Sequence, residues 1–156
     1  GAPASATLGV GDRLDTDIAG AHAAGMDAVL VLTGVHGVVD VSLAPTDQRP
    51  RYVAADLGSL LQPYEEAAPD GHNGWRCGTA TARLDDTGLT LEPGGRAEDG
   101  LRAGLAALWE AIDDRGHEDD GVVSAAHELA RWWDGRTGAQ QAVPWAPDDQ
   151  EDADGR

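Results

Sequence analysis

The chain has 156 residues and a formal net charge of −17, from 28 acidic and 11 basic residues. An acidic chain without a basic stripe argues against direct nucleic-acid binding and against anionic membranes. No apolar run is long enough to span a bilayer, and one cysteine excludes an internal disulfide. These features predict one or two domains, without a membrane span, in the reducing cytoplasm.

The first segment follows the order strand, acidic loop, helix, strand. An apolar run at residues 7–10 precedes the loop, and an alanine-rich helical stretch at residues 18–24 follows it. Gly25 is expected to end that helix, and a second apolar run covers residues 28–34. The loop carboxylates therefore lie at the carboxyl end of the first strand, where open α/β sheets bind their ligands.

An acidic loop beside a helix amino terminus is a candidate cation site. Asp12, Asp15 and Asp17 are crowded into six positions and would repel one another without a counter-charge. Mg²⁺ suits such a loop, because it takes one or two carboxylates and completes its shell with water and phosphate. The alternative for each aspartate is an acid that caps the helix or lies in its first turn.

The stretch from Leu8 to Val35, with its Gly-Asp-x-x-x-x-Asp string, resembles the fourth, metal-binding motif of the haloacid dehalogenase superfamily. It looks most like the class IIA phosphatase branch of nitrophenylphosphatases, phosphoglycolate phosphatases and glycerol-phosphate phosphatases. The resemblance implies that Asp12 ligates Mg²⁺ and that Asp17 orients the site from behind it. Asp15 matches no functional position of the family and is interpreted as a first-turn or capping acid.

Residues 51–54 and 56–61 extend this resemblance to about residue 64. The first reads as a short strand and the second as a short helix with an acidic cap, like the Pro-x-Tyr-Val and Asp-Leu-x-x-Leu-Leu segments that end the family core. Residues 38–43 are left as a short helix or a turn. The predicted fold class is α/β, the carboxyl-terminal part of a Rossmann-like parallel sheet followed by a small α+β extension.

The nucleophile of the family has no counterpart in this sequence. It is expected on an earlier strand as Asp-x-Asp-Gly-Thr or -Val, and the similar string at residues 152–155 has no apolar strand before it. We therefore assign no catalytic residue to this chain and expect it to be inactive alone, since loss of a nucleophile costs roughly a millionfold in rate. The family's cap domain, which largely sets its substrate specificity, also has no counterpart.

The resulting hypothesis is that this chain is the carboxyl-terminal portion of a larger Mg²⁺-dependent phosphatase. That enzyme would act on a small phosphate ester through an aspartyl-phosphate. The alternative is a non-catalytic acidic module that binds a divalent cation or a protein partner. In the family fold the first strand pairs with the nucleophile strand, so this chain exposes a parallel-sheet edge. We expect a marginally stable segment that associates, with a homo-oligomer as one outcome.

The predicted organisation has four parts. Residues 1–64 form the hydrolase-like part and residues 65–74 a polar linker. Residues 75–135 form the α+β extension, a β-hairpin and two amphipathic helices that serve packing or dimerisation. Residues 136–156 form an acidic tail that is expected to be disordered.

The remaining histidines and the cysteine give weaker signals. Cys77 lacks zinc-site spacing to His72, His117 and His127, so no metal is assigned there. His22 is interpreted as a surface residue of the first helix. His36 follows the second strand at the functional end of the sheet, which makes a role near the substrate conceivable. Trp132 lies off the apolar face of the last helix, and we expect a partly buried flank position.

Overall fold

The computed structural model describes residues 1–138, and this part contains two sheets. A parallel sheet is formed by β1 (Leu8–Gly11), β2 (Asp27–Val31) and β3 (Tyr52–Ala54). An antiparallel sheet is formed by β4 (Ala68–Pro69), β5 (Trp75–Cys77), β6 (Ala80–Asp85) and β7 (Gly88–Glu92). The helices are α1 (Ala19–Ala23), α2 (Val38–Ser42), α3 (Ala97–Arg115) and α4 (Asp120–Thr137). The predicted α/β class with an α+β extension is confirmed.

The parallel sheet has the order β1-β2-β3, so β1 is an edge strand. Val10 is in register with Val29, and Leu30 with Val53. The central strand β2 is buried from Ala28 to Val31, as parallel strands covered on both faces usually are. The predicted exposed edge at the first strand is confirmed.

A short π-helical turn, Leu14–Ile18, links β1 to α1. The amide of Ile18 donates to the carbonyl of Arg13, five residues earlier, so the turn is wider than an α-helical one. Helical structure therefore begins four residues before the expected position. The helix ends at the expected place, where Gly25 adopts the left-handed conformation with φ of 72°.

The segments after β2 follow the sequence expectations. Residues 38–43, left as a helix or a turn, contain the short helix α2. A 3₁₀ turn, Leu57–Leu61, follows β3 and is capped by Asp56, whose carboxylate accepts a hydrogen bond from the amide of Ser59 at 3.0 Å. This is the acidic cap that the sequence predicted.

The predicted linker, residues 65–74, contains a strand of the second sheet. Ala68 pairs with Arg76, and Pro69 with Trp75. The carboxylate of Asp70 accepts hydrogen bonds from the amides of His72 and Gly74, at 2.6 and 3.0 Å, and so folds the chain back onto β5. The Pro and Gly residues that suggested a linker belong instead to a β-hairpin.

The predicted hairpin is present, although its first arm is divided. Gly78, with φ of 55°, separates β5 from β6. The second turn lies where it was expected, and Leu84 is in register with Leu89. The extension therefore has a four-stranded meander in place of a single hairpin.

The two long helices confirm the predicted amphipathic spacing. Their buried faces include Leu101, Leu105, Leu108 and Ile112 in α3, and Val122, Ala126, Leu129 and Trp133 in α4. Trp132 is half-buried against the same core, as expected for a flank position. Helix α4 continues to Thr137, so the first two residues of the predicted tail are helical. The rest of that tail, residues 139–156, lies outside the described part.

One apolar core joins the parallel sheet to the two long helices. It contains Leu30 and Val53 from the sheet together with Leu105 and Leu129 from the helices. The indole of Trp109 on α3 also donates to the carbonyl of Val41 on α2, at 2.9 Å. Residues 75–135 therefore pack directly on residues 1–64. None of the helices within residues 1–138 is both long and apolar enough to cross a bilayer.

Candidate metal-binding site

Asp12 is the first residue after β1, at the carboxyl end of the parallel sheet. It is half-buried, and its Oδ2 accepts a hydrogen bond from the amide of Val35 at 2.9 Å. A Cβ atom at position 34 would collide with this carboxylate, so Gly34 is required for the approach of the two loops. The loop after β2 thus fixes one oxygen of Asp12.

Asp17 holds the backbone of the same loop. Its Oδ2 accepts hydrogen bonds from the amides of Asp12 and Arg13, both at 3.1 Å. A side chain at position 11 would overlap the Asp17 carboxylate, so Gly11 leaves room for it. The structure therefore brings the two predicted site residues together, with Asp17 bound to the backbone of Asp12.

His36 joins the two loops from the other side. Its Nδ1 accepts a hydrogen bond from the amide of Leu14 at 2.8 Å, so in this arrangement the ring proton of the neutral imidazole is on Nε2. Its own amide donates to the carbonyl of Asp12 at 3.1 Å. His36 is half-buried, and in the structure it supports the loop that carries Asp12.

Asp15 is engaged elsewhere. Its carboxylate forms a two-point ion pair with Arg13, with distances of 3.1 and 2.8 Å. The hydrogen bond from this guanidinium lowers the pKa of Asp15 below its usual value, and the carboxylate in turn raises the pKa of Arg13. Asp15 lies in the first helical turn, which is the position that the sequence predicted for it.

The geometry fits part of a Mg²⁺ shell. Within residues 1–138 the Oδ1 atom of Asp12 makes no hydrogen bond, so it is free to bind a cation. No group of three or more His, Cys, Asp or Glu side chains in this described part can hold a metal ion by itself. Since Mg²⁺ needs only one or two carboxylates beside water and phosphate oxygens, Asp12 can serve as one ligand.

The glycine and the amide that position Asp12 were not singled out from the sequence. Gly34 and Val35 lie in the Thr-Gly-Val string directly after β2. A glycine at the carboxyl end of a buried parallel strand was the available signal, because such a position brings the backbone close to a neighbouring loop.

The other reactive side chains lie apart from this loop. Cys77 is buried in the extension, where its thiol donates to the carbonyl of Glu65 at 3.3 Å and burial raises its pKa to about 11. His22 contacts the carbonyl of Asp47 at 2.9 Å through Nδ1.

Comparison with known proteins identifies the first segment. Residues 1–60 match the model of the HAD-hydrolase-like family. This segment is therefore similar to the haloacid dehalogenase-like hydrolases. This segment contains the whole parallel sheet with Asp12, Asp17 and His36.

A curated relative and a solved structure extend the similarity beyond this segment. The chain is 39% identical over 133 residues to the D-glycerol 3-phosphate phosphatase of Mycobacterium tuberculosis, covering 81% of this chain and 37% of that protein. A crystal structure of glycerol phosphate phosphatase from the same organism, in complex with magnesium, matches with a TM-score of 0.52 and 30% identity. That match covers 80% of this chain and 37% of the solved chain. The chain thus spans little more than a third of the length of these relatives.

Proposed function

We propose that this chain supplies the metal-binding part of a Mg²⁺-dependent phosphatase that acts on small phosphate esters. The main support is the placement of Asp12, with one carboxylate oxygen held by the Val35 amide and the other without a partner in the described residues. The relatives that share this segment are glycerol phosphate phosphatases, so glycerol 3-phosphate is the first substrate to test.

In this proposal three side chains of the chain have distinct roles. Asp12 ligates the cation through Oδ1, while Asp17 and His36 keep its loop in place through the hydrogen bonds to backbone amides. When bound, Mg²⁺ neutralises charge on the phosphoryl group. In this proposal the nucleophilic aspartate and the remaining ligands come from a separate amino-terminal segment.

The proposal assigns different roles to the two parts of the chain. Residues 1–64 act as the hydrolase part, and the family match to residue 60 supports this boundary. Residues 75–135 act as a packing or dimerising extension, to which residues 65–74 add the connecting strand β4. Because a single core joins the two parts, the extension also stabilises the sheet that carries Asp12.

Complementation tests the proposal. The chain is mixed with the amino-terminal part of the Mycobacterium tuberculosis relative, and phosphate release from glycerol 3-phosphate is measured with and without Mg²⁺. We expect activity only with both parts and the metal. The substitution Asp12→Asn should lower the rate by about 100-fold, because it removes a charged metal ligand. Asp15→Asn is the matched control and should retain the rate.

Two results would contradict this assignment. Equal activity of the Asp12→Asn and Asp15→Asn mixtures would remove Asp12 from the metal site. Activity of the mixture in the presence of a chelator would remove the metal from the reaction.

The second candidate is a non-catalytic acidic module that binds a divalent cation or a protein partner. The net charge of −17 favours it. It predicts that calorimetry detects Mg²⁺ or Ca²⁺ binding by the chain alone, while complementation yields no phosphate release. The two measurements together therefore separate the candidates.

A further inference from the structure

The short helix α2 lies directly after the loop that holds Asp12. The amide of Val35 donates to Oδ2 of Asp12 at 2.9 Å, and the amide of His36 donates to the carbonyl of Asp12 at 3.1 Å. Only Gly37 separates His36 from Val38, the first residue of α2. The position of α2 therefore determines where these two amides lie.

Helix α2 is too short to hold this position by itself. It has five residues, whereas isolated helices shorter than about 12 residues are marginal in water. Val38, Val41 and Ser42 of α2 are buried. The two valines belong to the same apolar core as Leu105 and Leu108 of α3. Contacts with the extension, more than its own hydrogen bonds, therefore hold α2 in place.

Trp109 of α3 bonds directly to α2. Its indole N–H donates to the carbonyl of Val41 at 2.9 Å. Val41 lies in the last turn of α2, and the last four carbonyl groups of a helix lack donors within it. The amide of Ala44 donates to the same carbonyl over a longer distance, 3.3 Å. The indole thus holds the carboxyl end of α2 on α3.

Asp40 joins the amino end of α2 to the loop at the metal site. Its Oδ2 accepts a hydrogen bond from the amide of Gly37 at 2.8 Å. A shift of α2 would displace the amides of Val35 and His36, since a single residue with two free backbone dihedrals links them to the helix.

We propose that Trp109 is a positioning residue of the metal site. Its hydrogen bond to Val41 fixes α2, and α2 keeps the amides of Val35 and His36 on Asp12. The extension thereby takes part in metal binding without contributing a ligand. This role of Trp109 depends on the proposed function, because it requires that Asp12 ligates Mg²⁺.

Hydrogen exchange of the 156-residue chain without metal tests the connection between Trp109 and the loop. Trp109→Phe removes the indole donor and keeps an aromatic ring in the core. We expect the amides of Val35 and His36 to exchange about fivefold faster, the factor that corresponds to one typical net hydrogen bond. The amides of β6, in the other sheet, should change less.

Trp75→Phe is the matched control. Trp75 is half-buried like Trp109, but its indole donates to Glu110 at 2.8 Å and not to α2. This variant loses an indole hydrogen bond of the same kind and should leave the exchange of Val35 and His36 unchanged.

Mg²⁺ affinity tests the consequence for the metal site. Calorimetry is performed on the mixture of this chain with the amino-terminal part of the relative, at a temperature at which every variant is folded. Trp109→Phe should weaken Mg²⁺ binding about fivefold, and Trp75→Phe should not. Unchanged affinity in Asp12→Asn would contradict the proposed function itself. A loss in Asp12→Asn with no loss in Trp109→Phe would overturn only the role of Trp109.

Two exchange results would also overturn the proposal. One is unchanged exchange of Val35 and His36 in Trp109→Phe. The other is an acceleration that is equal in β6, because it would reflect only a loss of global stability.

A second variant applies if Trp109→Phe does not fold. Asp40→Ala removes the acceptor of the Gly37 amide at the exposed start of α2, and it should accelerate exchange of Val35 and His36 as well. Unchanged exchange in Asp40→Ala would then overturn the proposal.

Discussion

The edge strands β1 and β7 differ in how the chain covers them. In β1, Leu8 and Val10 are 44% and 47% exposed. In β7, Leu89 and Leu91 are half-buried, and the amide of Leu89 donates to Glu128 of α4 at 3.4 Å. The antiparallel sheet is thus completed by helices of its own extension, whereas the parallel sheet keeps an open edge beside the residue proposed to bind the metal.

This difference follows from the two kinds of sheet. Antiparallel strands are joined by short turns, so the meander from β4 to β7 and its helices come from one continuous stretch of chain. A parallel sheet takes its strands from distant segments and is usually covered on both faces. The part that carries Asp12 therefore depends more on additional contacts than the extension does.

The largest expected effect comes from the core that joins the two regions. Leu105→Ala on α3 removes a fully buried side chain and should lower the free energy of unfolding by about 3 kcal/mol. Urea unfolding followed by tryptophan fluorescence and by the amides of β2 should show both regions losing stability together. Leu61→Ala, at an 87% exposed position, is the control. Loss of stability in the extension alone would mean that the two regions unfold independently.

The next effect concerns the contact between the two loops at Asp12. Gly34→Ala places a methyl group in the position of the Asp12 carboxylate, so it should displace the loop and cost about 2 kcal/mol of stability. The substitution should also weaken Mg²⁺ binding by the mixture of this chain with the amino-terminal part of the relative. The control is Gly20→Ala, because a Cβ there meets no atom within 4 Å and alanine favours a helix. Calorimetry and thermal unfolding give the two readouts, and unchanged Mg²⁺ affinity in Gly34→Ala would contradict this account.

The open edge itself predicts self-association of the chain. Val10→Lys adds a charge to the exposed strand and should weaken association about tenfold, since edge lysines oppose strand pairing. Sedimentation equilibrium measures this change. Leu61→Lys alters another exposed apolar position away from the edge and should have less effect. A monomeric unsubstituted chain would show that the edge is not an interface.

The smallest effect concerns an ion pair between the two regions. Arg49 bonds to Asp113 through two contacts of 2.9 and 2.7 Å, and the hydrogen bond from Arg49 lowers the pKa of Asp113. The stabilisation is therefore present above the unfolded pKa of Asp, about 3.9, and is lost as the pH falls through the lower folded value. Because Asp113 is largely exposed, its contribution is about 0.5 kcal/mol.

Asp113→Asn tests this contribution. Its stability should fall below that of the unsubstituted chain at pH 7, and the difference should vanish at acid pH. Asp86→Asn, at an exposed turn, should show no such convergence. Urea unfolding across pH 2–7 measures both differences, and a pH-independent difference for Asp113→Asn would assign the effect to something other than the ion pair.

The two regions also differed in how far their sequences predicted them. The apolar runs and the Gly25 stop predicted β1, α1 and β2, because those signals are local. Residues 65–74 were instead predicted as a linker, because a two-residue strand is too short to show a periodic pattern. Only its pairing with Arg76 and Trp75 makes it a strand.

By itself the sequence determined the order β1, α1, β2 and the amphipathic faces of α3 and α4, because these depend on spacing between neighbours along the chain. The candidacy of Asp12 and Asp17 came from the family resemblance of their loop. The tertiary structure alone decided that the Val35 amide holds Asp12, 23 positions away, and that His36 supports its loop. It also decided that the guanidinium of Arg102 lies on the ring of Tyr64. Such contacts arise only when β1, β2 and β3 lie side by side and α3 packs against them. The spacing of residues along the sequence does not indicate this arrangement.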